Sequence, residues 1–355
     1  MDIVIVTGAG GLVGAAAVRA FAPRVDLVVG LDNDMRSHFF GAGASTKWSV
    51  SKLEEEFVNF SCASIDIRDH DAITLLFATH GANIRAVIHT AAQPSHDWAA
   101  QEPLTDFSVN ATGTLILLEA TRHHAPNATF MFCSTNKVYG DTPNALPLEA
   151  RATRLELAAS HRWSAFGIDE SMSIDNSTHS LFGVSKVAAD LLVQEYGRYF
   201  SMNTVALRGG CLTGPGHSGA QLHGFLAHLM HCAAVGEPYT ICGYGGLQVR
   251  DNLHAADLSD AFLAIYDQPV SGRAYNMGGG RFSNCSVLEA IEMCGSITSK
   301  PMKIAYDDQA RVGDHRWWIS DTRRFEADFS GWKPSRDVPT ILEEIYVEGR
   351  TRWSQ

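Results

Sequence analysis

Apolar runs and amphipathic segments alternate along the first half of the chain. Five runs have the length and composition of buried strands, at residues 3–6, 27–31, 86–89, 129–134 and 205–208. Helical spacing of apolar positions occurs between them, at residues 11–21, 71–80 and 110–123. This alternation predicts an α/β fold in which a doubly wound parallel sheet is covered by helices on both faces.

The second half is denser in glycine, proline and turn signals, and its strands are shorter. Helical spacing recurs there in four segments, at residues 222–235, 256–267, 286–297 and 338–349. We therefore expect a larger domain at residues 1–208 and a smaller α/β lobe at residues 209–355. A segment near residues 247–265 is expected to return to the first domain.

One long stretch, residues 141–181, carries few periodic signals. A loop of this length in a compact domain is usually functional or mobile. We interpret it as an insert that covers an active site, although a surface excursion fits the sequence equally well.

Composition excludes several classes of protein. The 355 residues are 19% charged and 45% hydrophobic, which is ordinary for a soluble enzyme, and the net charge of −11 disfavours nucleic acid or an anionic membrane as partner. No apolar run reaches the ~20 residues of a membrane-spanning helix, and the N-terminus enters a strand without a basic region, so we expect no signal peptide. The seven cysteines are dispersed without zinc spacing, which indicates reduced thiols, a cytoplasmic protein and no metal site.

A glycine-rich turn joins the first strand to the first helix. Gly8, Gly11 and Gly14 have the G-x-x-G-x-x-G spacing that lets a backbone approach a pyrophosphate at a helix N-terminus. The residues expected at this turn are Gly8, Gly10, Gly11, Leu12, Val13 and Gly14. Plain turns also use glycine, but the position between strand and helix favours dinucleotide binding.

Asp32 ends the second predicted strand. A carboxylate there accepts hydrogen bonds from ribose hydroxyls and repels a 2′-phosphate, which favours NAD over NADP. Arg36 lies close enough in sequence to affect that choice, and we treat it as secondary. A helix N-cap is the alternative role for Asp32.

Ten segments in the same order resemble the extended short-chain dehydrogenase/reductase family, the NAD-dependent nucleotide-sugar epimerases and dehydratases. They are residues 7–14, 32, 66–68, 89–93, 110–114, 134–141, 182–186, 248–254, 276–280 and 311–314. The resemblance covers almost the whole chain and implies a Rossmann-type sheet with NAD as cofactor. It also implies a homodimer, in which the helix at residues 110–120 and the helix of Lys186 form a four-helix bundle with the partner subunit; an internal core is the alternative.

The sequence Ser-Thr-Asn-Lys-Val-Tyr-Gly-Asp at residues 134–141 is similar to the CDP-paratose (CDP-tyvelose) 2-epimerase branch of that family. Dehydratases of the family carry Asp-Glu where this chain has Asn136 and Lys137, which argues against a 4,6-dehydratase. The resemblance implies epimerisation through a keto-sugar, with C2 of a CDP-linked deoxyhexose as the expected centre. UDP-, dTDP- and GDP-sugars stay open as substrates.

Phe182 stands where the family's Tyr-x-x-x-Lys element has its tyrosine. By resemblance Thr135 holds the reacting hydroxyl and Lys186 binds the nicotinamide ribose, but a phenyl ring has no proton to exchange. We take the phenylalanine as natural, with another residue moving the proton; an engineered knock-out or a non-catalytic binding protein are the alternatives. The candidate replacements are Tyr139, Cys211, His179 and Glu170.

The resemblance also assigns the remaining site residues. Those expected at the cofactor, besides the glycine turn, are Asp32, Asn33, Arg36, Asp66, Ile67, Ala91, Ala92, Gln93, Asn110, Ser134 and Lys186. Those expected at the nucleotide-sugar are Gln93, Thr135, Asn136, Lys137, Glu170, Gly210, Arg250, Arg311 and Asp314. The two arginines are the expected clamps on the diphosphate, because a guanidinium offers parallel donors to phosphate oxygens.

Overall fold

Fifteen strands and thirteen α-helices occur in the computed structural model, which describes residues 1–217, 224–310 and 313–353. The strands are β1 (Ile3–Thr7), β2 (Leu27–Leu31), β3 (Phe60–Ala63), β4 (Ile84–His89), β5 (Thr129–Thr135), β6 (Leu148–Ala150), β7 (Leu155–Leu157), β8 (Thr204–Gly209), β9 (Cys211–Thr213), β10 (Tyr239–Cys242), β11 (Val249–His254), β12 (Arg273–Met277), β13 (Asn284–Ser286), β14 (Ile304–Asp307) and β15 (Trp317–Trp318). The helices are α1 (Leu12–Phe21), α2 (Met35–Phe40), α3 (Lys47–Glu56), α4 (His70–His80), α5 (His96–Gln101), α6 (Pro103–Phe107), α7 (Gly113–His124), α8 (Leu181–Phe200), α9 (Phe225–Val235), α10 (Ala255–Asp267), α11 (Val287–Thr298), α12 (Arg323–Asp328) and α13 (Val338–Trp353).

Seven parallel strands form the central sheet, in the order β12-β8-β5-β4-β1-β2-β3. The order reverses direction between β1 and β4, as in doubly wound sheets. The predicted α/β fold with a Rossmann-type sheet is therefore confirmed.

Both faces of this sheet are buried, which explains the continuous apolar strands. Within β1, Val4 and Val6 pack into one core, whereas Ile3 and Ile5 pack into the core on the opposite face. The first core also contains apolar residues of α1 and α10, and the second contains those of α4, α7 and α8.

The chain returns to the sheet after crossing the smaller lobe. Helix α10 packs against α1, within the segment predicted to return, and β12 then adds the edge strand beyond that segment. The lobe itself contains the two-stranded sheet β10-β14 and a sheet in which β11 pairs with β9, β13 and β15. The domain boundaries stay a prediction.

Residues 141–181 contain the antiparallel hairpin β6-β7 and pack onto the smaller lobe. Leu157, Ile168 and Met172 bury their side chains with Trp317 and Trp318, both of which are fully buried. The insert is therefore attached to the protein through an apolar core of its own.

Along the described parts of the chain, no helix combines the length and the apolar character needed to cross a membrane. The seven cysteines are all free thiols, as the sequence predicted.

Candidate active site

A cleft of about 500 Å³ follows the carboxyl ends of the central strands. Its walls come from the glycine turn after β1, Asp32 after β2, residues 90–92 after β4, residues 134–137 around the end of β5 and residues 209–213 after β8. Open parallel sheets bind their ligands at this edge, beside the point where the strand order reverses.

The glycine turn is shaped by close backbone contacts. A Cβ on Gly14 would lie 2.1 Å from the carbonyl oxygen of Gly8, and Gly8 itself has a φ of +68°. Helix α1 begins after Gly11 without a side-chain cap, so its first N–H groups face the cleft without an acceptor from a capping side chain. Gly10, Leu12 and Val13 complete this wall, whose backbone fits a pyrophosphate group.

Asp32 occupies the position where a ribose is expected. Its carboxylate accepts hydrogen bonds from the Gly10 amide at 2.8 Å and from the Thr46 hydroxyl at 2.9 Å. Helix α2 begins instead after Asp34, so the N-cap alternative for Asp32 is wrong. Asp32 is thus held rigidly at the cleft, where its charge would repel a 2′-phosphate.

The adenine end of the cleft is bordered by residues that follow β2 and β3. Asn33, Arg36, Asp66 and Ile67 all line it. The guanidinium of Arg68 donates to Asp66 at 2.6 and 2.9 Å and holds the pKa of that carboxyl below its ordinary value. Ala91 and Ala92 line the cleft as predicted, and Ser134 lines it at the end of β5.

Lys186 is buried on α8 with its ammonium at the floor of the cleft. Only 3% of its surface is exposed. Its Nζ donates to the carbonyl oxygen of Cys133 at 2.9 Å and lies 4.2 Å from the centroid of the Phe132 ring. Burial lowers the pKa of Lys186 to about 8, which leaves a cation ready for a polar ligand.

Phe182 and Thr135 lie at the same part of the cleft as Lys186. Phe182 precedes Lys186 by four residues on α8, so the two side chains share a helix face. Thr135 ends β5, and its hydroxyl accepts a hydrogen bond from the amide of Lys137 at 3.2 Å. The predicted catalytic residues Thr135, Phe182 and Lys186 therefore all line one cleft.

The opposite end of the cleft carries the expected diphosphate residues. Arg250 on β11 is 9% exposed, and its guanidinium donates to the Asp314 carboxylate at 2.5 Å. Gly210 lies beside them, where a Cβ would approach the Asp251 carboxylate to 2.3 Å. Arg311, the second expected clamp, lies outside the described residues.

Asn136 and Lys137 line the cleft directly after Thr135. Lys137 donates from Nζ to the carbonyl oxygen of Gly313 at 2.9 Å, and burial lowers its pKa to about 8. A cation and an amide thus take the place where a dehydratase needs carboxyl groups.

Gln93 and Asn110 do not line the cleft, contrary to expectation. The Gln93 side chain donates to Asp106 at 2.7 Å, and the Asn110 amide donates to Asp106 and to the Ser185 hydroxyl at 3.0 Å each. Both side chains form hydrogen bonds within this buried network, which connects the loop after β4 to α8.

Tyr139 and Glu170, two of the candidates for the missing proton carrier, do not line the cleft. The Tyr139 hydroxyl is fully buried, donates to Asn276 at 2.8 Å and accepts from Arg208 at 2.9 Å, and burial raises its pKa to about 12. Glu170 lines a separate pocket beside Arg208 and Arg324 and accepts from the Asn276 amide at 2.7 Å. Neither side chain reaches the cleft.

The other two candidates differ in position. His179 has both ring nitrogens near carbonyl oxygens, of Ser177 at 3.1 Å and Val138 at 2.8 Å, and does not line the cleft. Cys211 does line it, but burial raises the pKa of its thiol to about 11, so it is protonated at neutral pH.

The insert at residues 141–181 contributes no residue to the cleft wall. The structure therefore gives this segment no contact with the cleft, and its interpretation as a cover stays a prediction. Its apolar side chains pack onto the buried tryptophans of β15 instead, and sequence periodicity could not reveal that attachment.

His96 is a cleft residue that the sequence did not indicate. Its ring contacts Phe182 edge-on, with centroids 5.0 Å apart at 67°, and its Nδ1 lies 2.7 Å from the Ser180 hydroxyl. Burial lowers the pKa of His96 to about 4. Because the contact joins residues far apart in sequence, no local pattern predicts it.

Comparison with known proteins agrees with this geometry. Residues 4–278 match the NAD dependent epimerase/dehydratase family. The chain is 30% identical to CDP-paratose 2-epimerase of Salmonella typhi over 98% of both chains, and 28% identical to dTDP-glucose 4,6-dehydratase of Salmonella typhimurium over 99% of this chain and 94% of the relative.

Solved structures share the fold. UDP-glucose 4-epimerase of Thermotoga maritima, crystallised with UDP-glucose, superposes with a TM-score of 0.78 and 22% identity over 99% of both chains. The glycine turn, the uncapped start of α1 and Asp32 fit NAD in the same cleft. The chain therefore belongs to the NAD-dependent epimerase/dehydratase family, and NAD is its cofactor.

Proposed function

We propose that this protein is an isomerase that epimerises a nucleotide-sugar, with C2 of a CDP-linked deoxyhexose as the reacting centre. The observation that carries the proposal is the convergence of Thr135, Lys186 and Arg250 in one cleft with the NAD-binding turn. The CDP-sugar is favoured because a CDP-paratose 2-epimerase matches the chain over nearly its full length.

NAD, held by the glycine turn and Asp32, would supply a hydride acceptor and then a hydride donor, so the reaction would have no net redox change. The Thr135 hydroxyl holds the reacting sugar hydroxyl, and the Lys186 ammonium orients the nicotinamide ribose and keeps the local field positive. The Arg250 guanidinium holds the diphosphate, which lets the keto-sugar turn its other face while the nucleotide stays anchored. In this role Arg250 exchanges the Asp314 carboxylate for phosphate oxygens.

Residues 136 and 137 favour epimerisation over dehydration. Loss of water from a sugar needs an acid and a base beside the breaking bonds. Asn136 offers an amide, and Lys137 offers an amine whose pKa is about 8, so the carboxyl pair is missing from these two positions.

A homodimer is part of the proposal. Large apolar side chains are exposed on three neighbouring helices, and these are Leu104 and Phe107 of α6, Leu115 of α7, and Leu181, Val184 and Leu191 of α8. A second copy of the chain covering these helices would remove that apolar surface from water. Light scattering should then report twice the mass of one chain, and a Leu191→Glu variant should shift it toward the monomer.

The test of the activity is direct. The purified protein with NAD is incubated with CDP-tyvelose, and the sugar is analysed by NMR for conversion to CDP-paratose. UDP-glucose and dTDP-glucose are run in parallel as competing substrates. Conversion of the CDP-sugar supports the proposal, and conversion of another nucleotide-sugar alone would overturn its substrate.

A second candidate is a non-catalytic protein that binds NAD and a nucleotide-sugar. Phe182 favours it, because the ordinary proton carrier is absent from the cleft. Calorimetry with CDP-tyvelose would then show heat of binding while no substrate of the panel is converted.

A further inference from the structure

Position 182 has no hydroxyl, but the imidazole of His96, a side chain that can exchange protons, lies next to it in the cleft. Phe182 is 6% exposed, and its ring lies against the imidazole of His96. Both rings line the cleft together with Thr135. An imidazole therefore stands beside the phenyl ring from which the family's hydroxyl would have projected.

Besides the Phe182 ring, two neighbours hold the imidazole in place. Its Nδ1 lies 2.7 Å from the hydroxyl of Ser180, which in turn accepts the amide of Gly183 as the N-cap of α8. On the side of the smaller lobe, Gly313 has no Cβ, and one built there would come within 2.6 Å of the ring of His96. With Nδ1 facing Ser180, Nε2 is the nitrogen left for a ligand.

Charged groups of both signs surround this ring. The Lys137 ammonium opposes its protonation, and the Asp314 carboxylate favours it, while His315 lies near enough to interact with it. Burial has the largest effect and lowers the pKa of His96, so the ring is neutral near pH 7 and has a lone pair to accept a proton.

We propose that His96 replaces the missing tyrosine as the group that exchanges a proton with the reacting sugar hydroxyl. This rests on the proposed epimerase function. In the oxidation half, the O–H bond breaks and its proton forms an N–H bond on His96, while the electron pair of the C–H bond leaves with the hydride that NAD accepts. In the reverse half, the imidazolium returns the same proton to the oxygen as the hydride returns to carbon, so atoms and electrons balance.

Two other groups of the cleft compete for this role. Lys137 has a pKa of about 8, but its Nζ is directed to the Gly313 carbonyl oxygen. Cys211 lies with Arg250 at the diphosphate end, and its thiol has a pKa of about 11. His96, by contrast, has its ring packed against the ring of Phe182.

The first experiment compares His96→Gln with His38→Gln. Glutamine keeps hydrogen-bonding capacity but cannot carry a proton. His38 is the matched control, because it packs on Trp98 of the same short helix α5 and does not line the cleft. We expect kcat for CDP-tyvelose to fall about 10²–10⁴-fold in His96→Gln and to stay near wild type in His38→Gln.

A double variant distinguishes loss of the proton carrier from a structural effect of the His96 substitution. His96→Gln combined with Phe182→Tyr restores the family's hydroxyl and should recover at least tenfold of the lost rate. An unchanged rate in His96→Gln would overturn the inference. So would a loss that the restored tyrosine does not relieve.

The second experiment does not depend on turnover. The histidines are labelled with ¹⁵N, His96 is assigned by its loss in His96→Gln, and NMR follows the ring nitrogens as CDP-tyvelose is added to the protein with NAD. We expect a neutral ring at pH 7 whose Nε2 signal shifts with the sugar nucleotide but not with CDP alone. If no substrate is converted, the proposed function fails, and this signal still decides the inference: no shift with CDP-tyvelose would overturn it.

Discussion

Replacing Lys186 by methionine should stabilise the protein while it destroys the cofactor site. Lys186 is almost fully buried and has a pKa of about 8 instead of its ordinary value of 10.5. Each pKa unit corresponds to about 1.4 kcal/mol, so keeping this cation charged at neutral pH costs the folded state roughly 3 kcal/mol. Methionine has a similar length and carries no charge.

Two contacts reduce the expected gain. The hydrogen bond to the Cys133 carbonyl oxygen and the contact with the Phe132 ring are lost with the ammonium. Together they contribute about 1–3 kcal/mol, which leaves a net gain of about 0–2 kcal/mol at pH 7. NAD affinity should fall at least tenfold, because the proposed ligand of the ribose is gone.

The pH dependence gives the sharper result. The pKa of Lys186 is lower in the folded state than in the unfolded chain, so between pH 8 and about 10 the unfolded state binds one more proton. Wild-type stability should therefore rise with pH through this window relative to Lys186→Met, and the advantage of the variant should shrink. Taking the difference between the two proteins cancels the titration of Lys137, which has a similar pKa.

Urea unfolding of the protein without NAD, at several pH values from 7 to 10, measures this difference. Lys333→Met is the control, because Lys333 is exposed and its loss should change the free energy of unfolding by less than about 0.5 kcal/mol. A Lys186→Met protein that is less stable than wild type at pH 7, with a difference independent of pH, would refute the reasoning.

Three further changes test the cleft and its support. Gly14→Ala places a Cβ 2.1 Å from the Gly8 carbonyl oxygen, so α1 must shift; we expect about 1–3 kcal/mol of destabilisation and at least tenfold weaker NAD binding by calorimetry. Asp190→Ala removes the buried carboxylate that binds the Arg208 guanidinium at 2.8 Å, and the uncompensated cation should lower the free energy of unfolding by about 3–5 kcal/mol in urea. Asp32→Ser removes the charge expected to repel a 2′-phosphate and should raise NADP affinity relative to NAD about tenfold in competition titrations.

Two substitutions serve as controls for these variants, one for the added Cβ and one for the removed carboxylates. Gly43→Ala adds a Cβ where nothing lies within 4 Å, and Asp71→Ala removes a fully exposed carboxylate. Both should behave like wild type. Normal NAD binding by Gly14→Ala, wild-type stability of Asp190→Ala, or an unchanged cofactor preference of Asp32→Ser would each contradict the account at that residue.

The sequence predicted what depends on local order along the chain. The apolar run of β1 is buried on both faces, and this burial is what an uninterrupted run indicates. The glycine turn and Asp32 follow β1 and β2 directly, so the topology of a parallel sheet brings them to one edge. The four-residue spacing of Phe182 and Lys186 places both side chains on one face of α8, and both line the cleft.

The positions of the other site residues depend on tertiary contacts, which the sequence pattern does not reveal. Tyr139 follows the same strand as Thr135, but its side chain turns into a core between Arg208 and Trp318. Gln93 comes four residues after the end of β4, and its side chain donates a hydrogen bond to Asp106. His96 reaches Phe182 across more than eighty residues of sequence, and no spacing rule anticipates such a pair.

The fate of the hydrogen on the reacting carbon tests the central claim most directly. CDP-tyvelose carrying deuterium at C2 is incubated with the protein and NAD in ordinary water, and the CDP-paratose formed is examined by NMR and mass spectrometry. Transient hydride transfer predicts inverted C2 with the deuterium retained, since the same hydrogen leaves and returns. Inversion with loss of the deuterium to water would contradict the account, and so would the absence of any inversion.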